Sequence, residues 1–553
     1  MSTNLESKVT LEKTDNVNVE RKRSWFSRRK ILITLFVILA VLSYFCLVPS
    51  RLVLSPETTL ITLLKPDGTP DYVGAFLLEH NGQLTNPDSN GLRMVIEKFG
   101  PYILEQSALM RDCVWEDLPK DESWHGKFYR EKWIPLCNAM SIDPAKKPVE
   151  YKPISAKIVE TKKEEYKKSG FHSSLTTKSW RAEDYPDIAE FVRENEGAMA
   201  VYAAAAKKPQ WICYRYEPNI LIGILLPDVH VTRAVYSDFA IRANERISRN
   251  DIAGAFDDAL TILRIGRHIT NNSRTFVETF VGIVADKMGI DVIQSILTYG
   301  KPSAEQIHQF IKELDNLPKT DQSLDKIIRL QKMFELELLF KLRDELVGNK
   351  DNLYDNDDVP PNPQIRLLRW LSILPIDYNV ASKRIHVYYA ILEEMSKETD
   401  VKKRRQIGLR YDPEVMKLGD TIKKTQDTLL RLLPIRYRSE LVADHINCFM
   451  LPAVGSFANA EAKTETLKDQ LRVSFALELY QRENGQYPDN LEALVPKYIS
   501  VIPDDIFASQ KLTYKKNDNG YILYSLGLNE IDDNGDAQQF KDLVVERKID
   551  VNK

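Results

Sequence analysis

Apolar residues fall into three regimes along this chain. One unbroken run, Ile31–Val48, reads ILITLFVILAVLSYFCLV and carries no charge over its eighteen residues. At about 1.5 Å rise per residue a helix of that length spans roughly 27 Å, close to the ~30 Å hydrocarbon core of a bilayer. From residue 55 to 450 the apolar positions recur at three- and four-residue steps, the period of helices with one buried face. After residue 455 one more helical stripe gives way to short strand-like runs. The pattern predicts a mainly α chain with an N-terminal transmembrane helix, a large α-helical domain and a small C-terminal α+β module.

Within the helical region the punctuation is local. Asp71 opens a helix through Leu78, and Asn86-Pro87-Asp88 opens a second that runs to Phe99-Gly100-Pro101. The stretch from Tyr102 to Pro153 is rich in Trp, Pro and Cys, shows no clear period, and reads as loops packed on helices. Helical spacing resumes at Tyr185, and an apolar run, Asn219–Leu226, ends at Pro227. Helices follow at 236–248 and 251–270, separated by Asn250-Asp251 as break and N-cap. Ala253, Ala255, Ala259, Leu260, Leu263 and Gly266 form a seam for close helix contact. The pair resembles one helical hairpin of the tetratricopeptide kind, without recurrence at a period near ~34. Further helices are predicted at 276–299, from a Ser303–Gln306 capping box, and at 323–347, 380–398, 412–432 and 438–450. Residues 349–363, with Asp355-Asn356-Asp357-Asp358 and three prolines, read as a solvated surface loop.

The flanks of the apolar run set a topology. Arg21-Lys22-Arg23 and Arg28-Arg29-Lys30 precede it, with Trp25 and Phe26 between them. Basic residues hold their side of a span in the cytoplasm, and aromatic residues sit at the interface. The run is longer than a usual signal h-region, and Tyr44-Phe45-Cys46-Leu47 is bulky where a cleavage site needs small residues. An uncleaved anchor is the simpler reading than a twin-arginine signal at Ser27-Arg28-Arg29. Residues 1–30 then form a disordered basic cytoplasmic tail, 31–48 a single-pass anchor, 55–450 an extracytoplasmic helical domain and 455–553 a further module beyond it.

Composition narrows the function more by exclusion. A net charge of −3 argues against a general nucleic-acid binder. Cys113 and Cys137 are the closest extracytoplasmic cysteine pair in sequence, but these two, Cys213 and Cys448 read more simply as small buried residues. The eight histidines form no paired ligand spacing, and no phosphate-binding loop, dinucleotide fingerprint or nucleophile elbow is present. Glu194 and Glu196 read as solvated helix residues; Trp180, Trp211 and Tyr214 read as core rather than a binding wall.

The C-terminal stretch carries the most specific pattern. Leu467, Leu471, Phe475 and Leu479 repeat every four residues. They are followed by Asn484-Gly485-Gln486-Tyr487-Pro488, Leu491-Glu492-Ala493-Leu494-Val495 and Ile502-Pro503-Asp504-Asp505-Ile506-Phe507. Tyr514 and Tyr521–Ser525 read as strands joined through Asp518-Asn519-Gly520, with a last strand near 543–547. Residues 467–537 resemble the globular part of the major pseudopilin of type II secretion, general secretion pathway protein G. Ile506 stands where that family has proline. The apolar run at 31–48 lacks a prepilin-peptidase pattern and lies some four hundred residues upstream, so the resemblance implies a borrowed module. It also implies a calcium loop: Leu526 and Ile531 would offer backbone carbonyls, and Asn529, Asp532 and Asp533 side-chain oxygens. Clustered hard oxygens suit calcium, which takes about six to eight of them.

The remainder resembles uncharacterised bacterial membrane-anchored proteins with the same C-terminal module. Thr62, Asp67-Gly68, Asp71-Tyr72-Val73, Trp180, Asp184-Tyr185-Pro186, Glu194-Asn195-Glu196, Leu226-Pro227 and Arg264-Ile265-Gly266-Arg267 carry that likeness. It implies a single-pass protein of the bacterial cytoplasmic membrane, N-terminus inside, with a protein or cell-envelope partner. The expected role is interaction or scaffolding outside the cytoplasm. The alternatives are an envelope enzyme acting on glycan or peptide, and an accessory component of a type II secretion-like apparatus.

Overall fold

The computed structural model describes residues 33–39, 60–100, 119–162, 170–218, 226–320, 324–347, 376–411, 434–450, 454–537 and 541–548, apart from isolated positions, together with Lys30, Val53 and Leu221. It is mainly α-helical, with a small three-stranded antiparallel sheet near the C-terminus. The predicted anchor lies mostly outside the described residues. Its described part, 33–39, is helical and exposed, with Phe36 the most open. Among the described residues no helix is long and apolar enough to cross a membrane. The acidic loop at 355–358, the whole of the helix expected at 412–432, and Cys113 also lie outside them.

The chain divides into two compact units. One comprises 1–60, 338–387 and 417–449. Its described contacts include Arg384 donating to both oxygens of Asp444 and a stacked Phe340–Tyr378 pair. The other comprises 61–337, 388–416 and 450–553, and it holds all the candidate chemistry below.

In that larger unit the helices start where local chemistry tells them to. α1 (Tyr72–Asn81) begins at Asp71, whose carboxylate accepts from Gly74 N at 2.9 Å. α2 is Gly91–Phe99, and its cap is Asn90. Asn86-Pro87-Asp88 therefore does not open this helix; Pro87–Ser89 makes a 3-10 turn ahead of it. The region expected to be loops contains a helical stretch, Trp124–Phe128 continuing through a wide turn at Tyr129–Trp133 into Ile134–Met140. The wide turn adds a residue to the helical repeat, which erases the three- and four-residue spacing. α3 (Pro186–Ala206) and α4 (Pro227–Ser248) both carry proline in the first turn. α4 begins nine residues before its predicted start at 236, because Pro227 opens a helix rather than ending a run.

α5 (Ile252–Asn272) and α6 (Phe276–Ser295) form the central pair. Asp251 caps α5 through Gly254 N, and Thr275 and Glu278 close a capping box on α6. The predicted seam is real at Gly266. A methyl group there would stand 3.0 Å from the Ala285 side chain, so only glycine lets the backbones approach this closely. α7 (Ala304–Asp315) follows its Ser303 box. α8 (Leu324–Val347) and α9 (Tyr378–Lys397) come next, and residues 401–411 add a helix not expected from the sequence. α10 is Ile435–Met450.

α11 (Val454–Asn484) is one continuous helix of 31 residues. Leu471, Phe475 and Leu479 bury one stripe in the main helical core. Val473, Ala476 and Leu477 bury another against the sheet, with Tyr487, Leu491, Leu494, Tyr521 and Leu523. The sheet runs β1 (Thr513–Asn517), β2 (Gly520–Ser525) and β3 (Leu543–Lys548), with Tyr514 opposite Leu523 and Leu523 opposite Val545. Glu478 of α11, 1 % exposed as a side chain, ties these parts together. It accepts from the Tyr487 hydroxyl at 2.6 Å and from Arg482 at 2.8 Å, and it pairs with Arg547 of β3 at 3.3 Å. Arg547 in turn donates to the Thr298 carbonyl and Arg482 to that of Pro302, both just after α6.

Candidate functional site

Three polar centres stand out in the larger unit, and only one of them was anticipated. The first lies on the extended segment after α3. Asn81 pairs with both backbone groups of Arg215, each bond 2.9 Å, and so fixes where its side chain starts. The Arg215 guanidinium is 3 % exposed and donates to both oxygens of Asp228 (2.5 and 3.3 Å) and to Glu278 Oε1 (2.8 Å). Glu278 spends its other oxygen on the capping box, accepting from Arg274 N and Thr275 N. Burial works against the Arg215 charge, but Asp228 and Glu278 outweigh it and hold the group protonated. His80 Nε2 donates to the Cys213 carbonyl at 2.9 Å, and its Nδ1 is buried without a partner. Burial, followed by the nearby Arg215 charge, pulls the His80 pKa down to about 4, so the ring is neutral at pH 7. With Trp211, Thr232 and Asn272 these groups line a cleft. Every charge in this cleft is already paired, so its arrangement is that of a structural lock.

The second centre is a cleft formed by α5, α6, the start of α8 and α11. Asp286 Oδ2 accepts from Lys468 at 3.1 Å, and Lys468 also donates to Glu465 at 2.8 Å. Glu461 is 3 % exposed. Its Oε1 pairs with Arg404, and its Oε2 is buried with no partner. Burial outweighs Arg404 and raises the Glu461 pKa to about 7. Asp286 Oδ1 likewise has no hydrogen bond; Arg267 Nε stands 3.9 Å away.

The third centre is the loop singled out for calcium. Leu526, Asn529, Ile531, Asp532 and Asp533 lie together, but their polar atoms face one another. Asn529 Nδ2 donates to Asp533 Oδ2 at 2.7 Å, and Ile531 N donates to Asn529 Oδ1 at 3.2 Å. Asp532 Oδ1 accepts from the Tyr524 hydroxyl and from Asn534 N. Leu526 N is held by Asp505, and Asp542 holds Asp533 N and Gly535 N. Asp505 and Asp542 are the loop's anchors; the sequence pattern assigns neither to the loop, because both lie outside the 526–536 stretch. Among the described residues no group of three or more His, Cys, Asp or Glu is arranged to hold a metal ion. In this arrangement Asn529 and Asp533 are bonded to each other, and an ion ligated by both would first have to break that bond. A thermal melt of the full chain is therefore expected to show no shift between millimolar calcium and chelator, whereas a rise with calcium would mean that the loop opens to take the ion.

Other singled-out residues fall into place as structure. Trp180 Nε1 donates to the Ile241 carbonyl, and Trp211 stacks on His268; both are buried. Tyr214 meets Tyr216 edge-on. Glu194 pairs with Lys157, and Glu196 with Arg242. Cys137 and Cys213 are buried free thiols; burial pushes the Cys137 pKa up to about 12.

Compared with known proteins, the chain matches no family model, no curated protein sequence and no solved structure.

One buried acid makes a direct link between pH and stability. Asp238 of α4 is fully buried and accepts from Tyr151 OH, Ile154 N and Ser155 N at 2.9, 2.8 and 3.1 Å. It thereby caps, from a distant helix, the N-terminus of Ile154–Thr161. Burial raises its pKa from 3.8 to about 7. Between those values the folded form holds more protons than the unfolded one, so this residue makes stability fall as pH rises from about 4 to about 7. Asp238→Asn is expected to flatten that part of the pH–stability curve in urea unfolding; an unchanged slope would contradict the assignment.

Proposed function

We propose that this chain is a membrane-anchored interaction or scaffold protein of the bacterial envelope, with the bulk of the chain outside the cytoplasm. The observation that supports this reading best is α11. Its two buried stripes and the Glu478 hub join the helical core and the sheet into one continuous body. A rigid platform of this kind suits holding a partner at a fixed geometry better than a hinged cleft would. The 31–48 run supplies the anchor, and the basic residues before it supply the orientation. The pseudopilin-like end is then a borrowed module put to work as one wall of the platform.

The test has two arms in intact cells. A reporter fused after Lys553 should be active only on the extracytoplasmic side. A photocrosslinker at Val501, 61 % exposed on the sheet-bearing end, should trap a discrete protein adduct. A cytoplasmic reporter overturns the topology, and a crosslinker that traps no defined partner overturns the scaffold role. An adduct with a secretion component would assign the chain to that apparatus.

A further inference from the structure

The cleft formed by α5, α6, α8 and α11 has a chemical bias independent of the platform role. Its polar wall is rich in acceptors. Thr270 Oγ1 donates its proton to the Gly266 carbonyl at 3.0 Å, and Ser273 Oγ to the Thr270 carbonyl at 2.8 Å. Thr464 Oγ1 donates to the Ala460 carbonyl at 3.0 Å. A hydroxyl has one proton, so these three can offer the cleft only lone pairs. Asp286 Oδ1 and Glu461 Oε2 add two carboxyl oxygens that accept no hydrogen bond. Both residues are at least nine-tenths buried, and both line the cleft. Glu461 turns its other oxygen to Arg404, which is not part of the lining.

We propose that this cleft binds the ammonium group of an amine ligand, with Asp286 and Glu461 as its principal acceptors. An ammonium brings three N–H donors and a positive charge, and it brings no acceptor of its own. Among the described lining residues the one cation is Lys468, already shared between Asp286 and Glu465; Arg267, outside the lining, has its Nε 3.9 Å from Asp286 Oδ1. An anion would meet carboxylates and lone pairs. Ile283, Leu324, Ile327 and Phe457 supply an apolar side for the carbon chain of the amine. Glu465, a quarter exposed, marks the solvent side.

Binding of a cation should also ionise Glu461. The charged groups acting on Glu461 are Arg404, Glu465 and Lys468; burial is the largest influence, and it holds the pKa near 7. An ammonium beside Oε2 favours the carboxylate, so binding releases a proton and tightens with pH.

The probe is n-butylammonium, titrated into the full chain in detergent micelles by calorimetry, with n-butanol and potassium as comparison ligands. The expected result is saturable binding of butylammonium that tightens roughly tenfold from pH 6 to pH 8, as the Glu461 carboxyl passes through its titration. Glu461→Gln is expected to weaken binding at pH 8 at least tenfold and to remove the pH dependence. Asp286→Asn, which leaves the Arg404–Glu461 pair intact, should weaken it without removing that dependence. Equal binding of butanol, equal binding of potassium, or no binding of butylammonium by the folded wild-type chain at pH 8 would each overturn the proposal. The wild-type arms decide it even where a variant fails to fold.

Discussion

Replacing Arg215 by alanine is expected to cost the fold about 3–5 kcal/mol, the usual penalty for removing one partner of a buried ion pair. The reason is what stays behind. Asp228 and Glu278 would remain in the interior without the guanidinium that both now use. Neither can turn to water without cost: Glu278 is pinned by the α6 capping box, and Asp228 sits in the first turn of α4. Arg215→Lys keeps a charge but loses the planar fork that bridges two carboxylates, so it should recover only part of the loss. Urea unfolding of the full chain in detergent reads the effect as a lower midpoint at unchanged slope. A loss below about 1 kcal/mol for Arg215→Ala would mean that the pair is solvated in the folded state.

The contrast between Arg215 and the helix caps explains what could be read in advance. Asp71, Asp251 and Ser303 act on backbone groups three residues away, so a short window of sequence contains both donor and acceptor. Arg215 meets Glu278 across 63 residues, and Asp238 caps a helix 84 residues before it. No local pattern records such pairs. Proline misled in one place for a related reason. Pro227 terminates the apolar run 219–226 in sequence, yet its fixed φ also suits a first helical turn, and the residues after it decide which role it takes. The helical stretch at 124–140 was hidden by its wide turn, which breaks the period on which helix recognition depends.

The candidate sites divide the same way. The 526–533 loop was visible because its residues are adjacent, but adjacency does not set the direction of lone pairs. The Asp505 and Asp542 carboxylates, which flank the loop in sequence, anchor its N–H groups. The Asp286–Glu461 cleft was invisible because α11 lies more than a hundred residues after the other helices that form its walls. Its chemistry also depends on where each threonine proton goes, which only the folded backbone determines.

α11 carries the second large expectation. Its sequence advertises one stripe, 467-471-475-479, and the second, 473-476-477, is easily read as part of the same amphipathic face. With both stripes buried, the helical core and the sheet share one spine and should unfold together. Phe475→Ala removes a buried ring from the helical core, and Leu477→Ala removes a fully buried side chain from the sheet core. Each is expected to cost about 2–5 kcal/mol through lost burial and the cavity left behind. The decisive feature is the shape of the transition rather than its size. If the sheet were a module hung on a linker, Leu477→Ala would split the melt and leave the helical core at its original temperature. Because Leu477 and Phe475 sit two residues apart on one unbroken helix, both variants should instead move a single transition, seen alike by far-ultraviolet circular dichroism and by tyrosine and tryptophan fluorescence. Two separated transitions in the Leu477→Ala variant would refute the shared spine, and with it the rigid platform on which the proposed scaffold role depends.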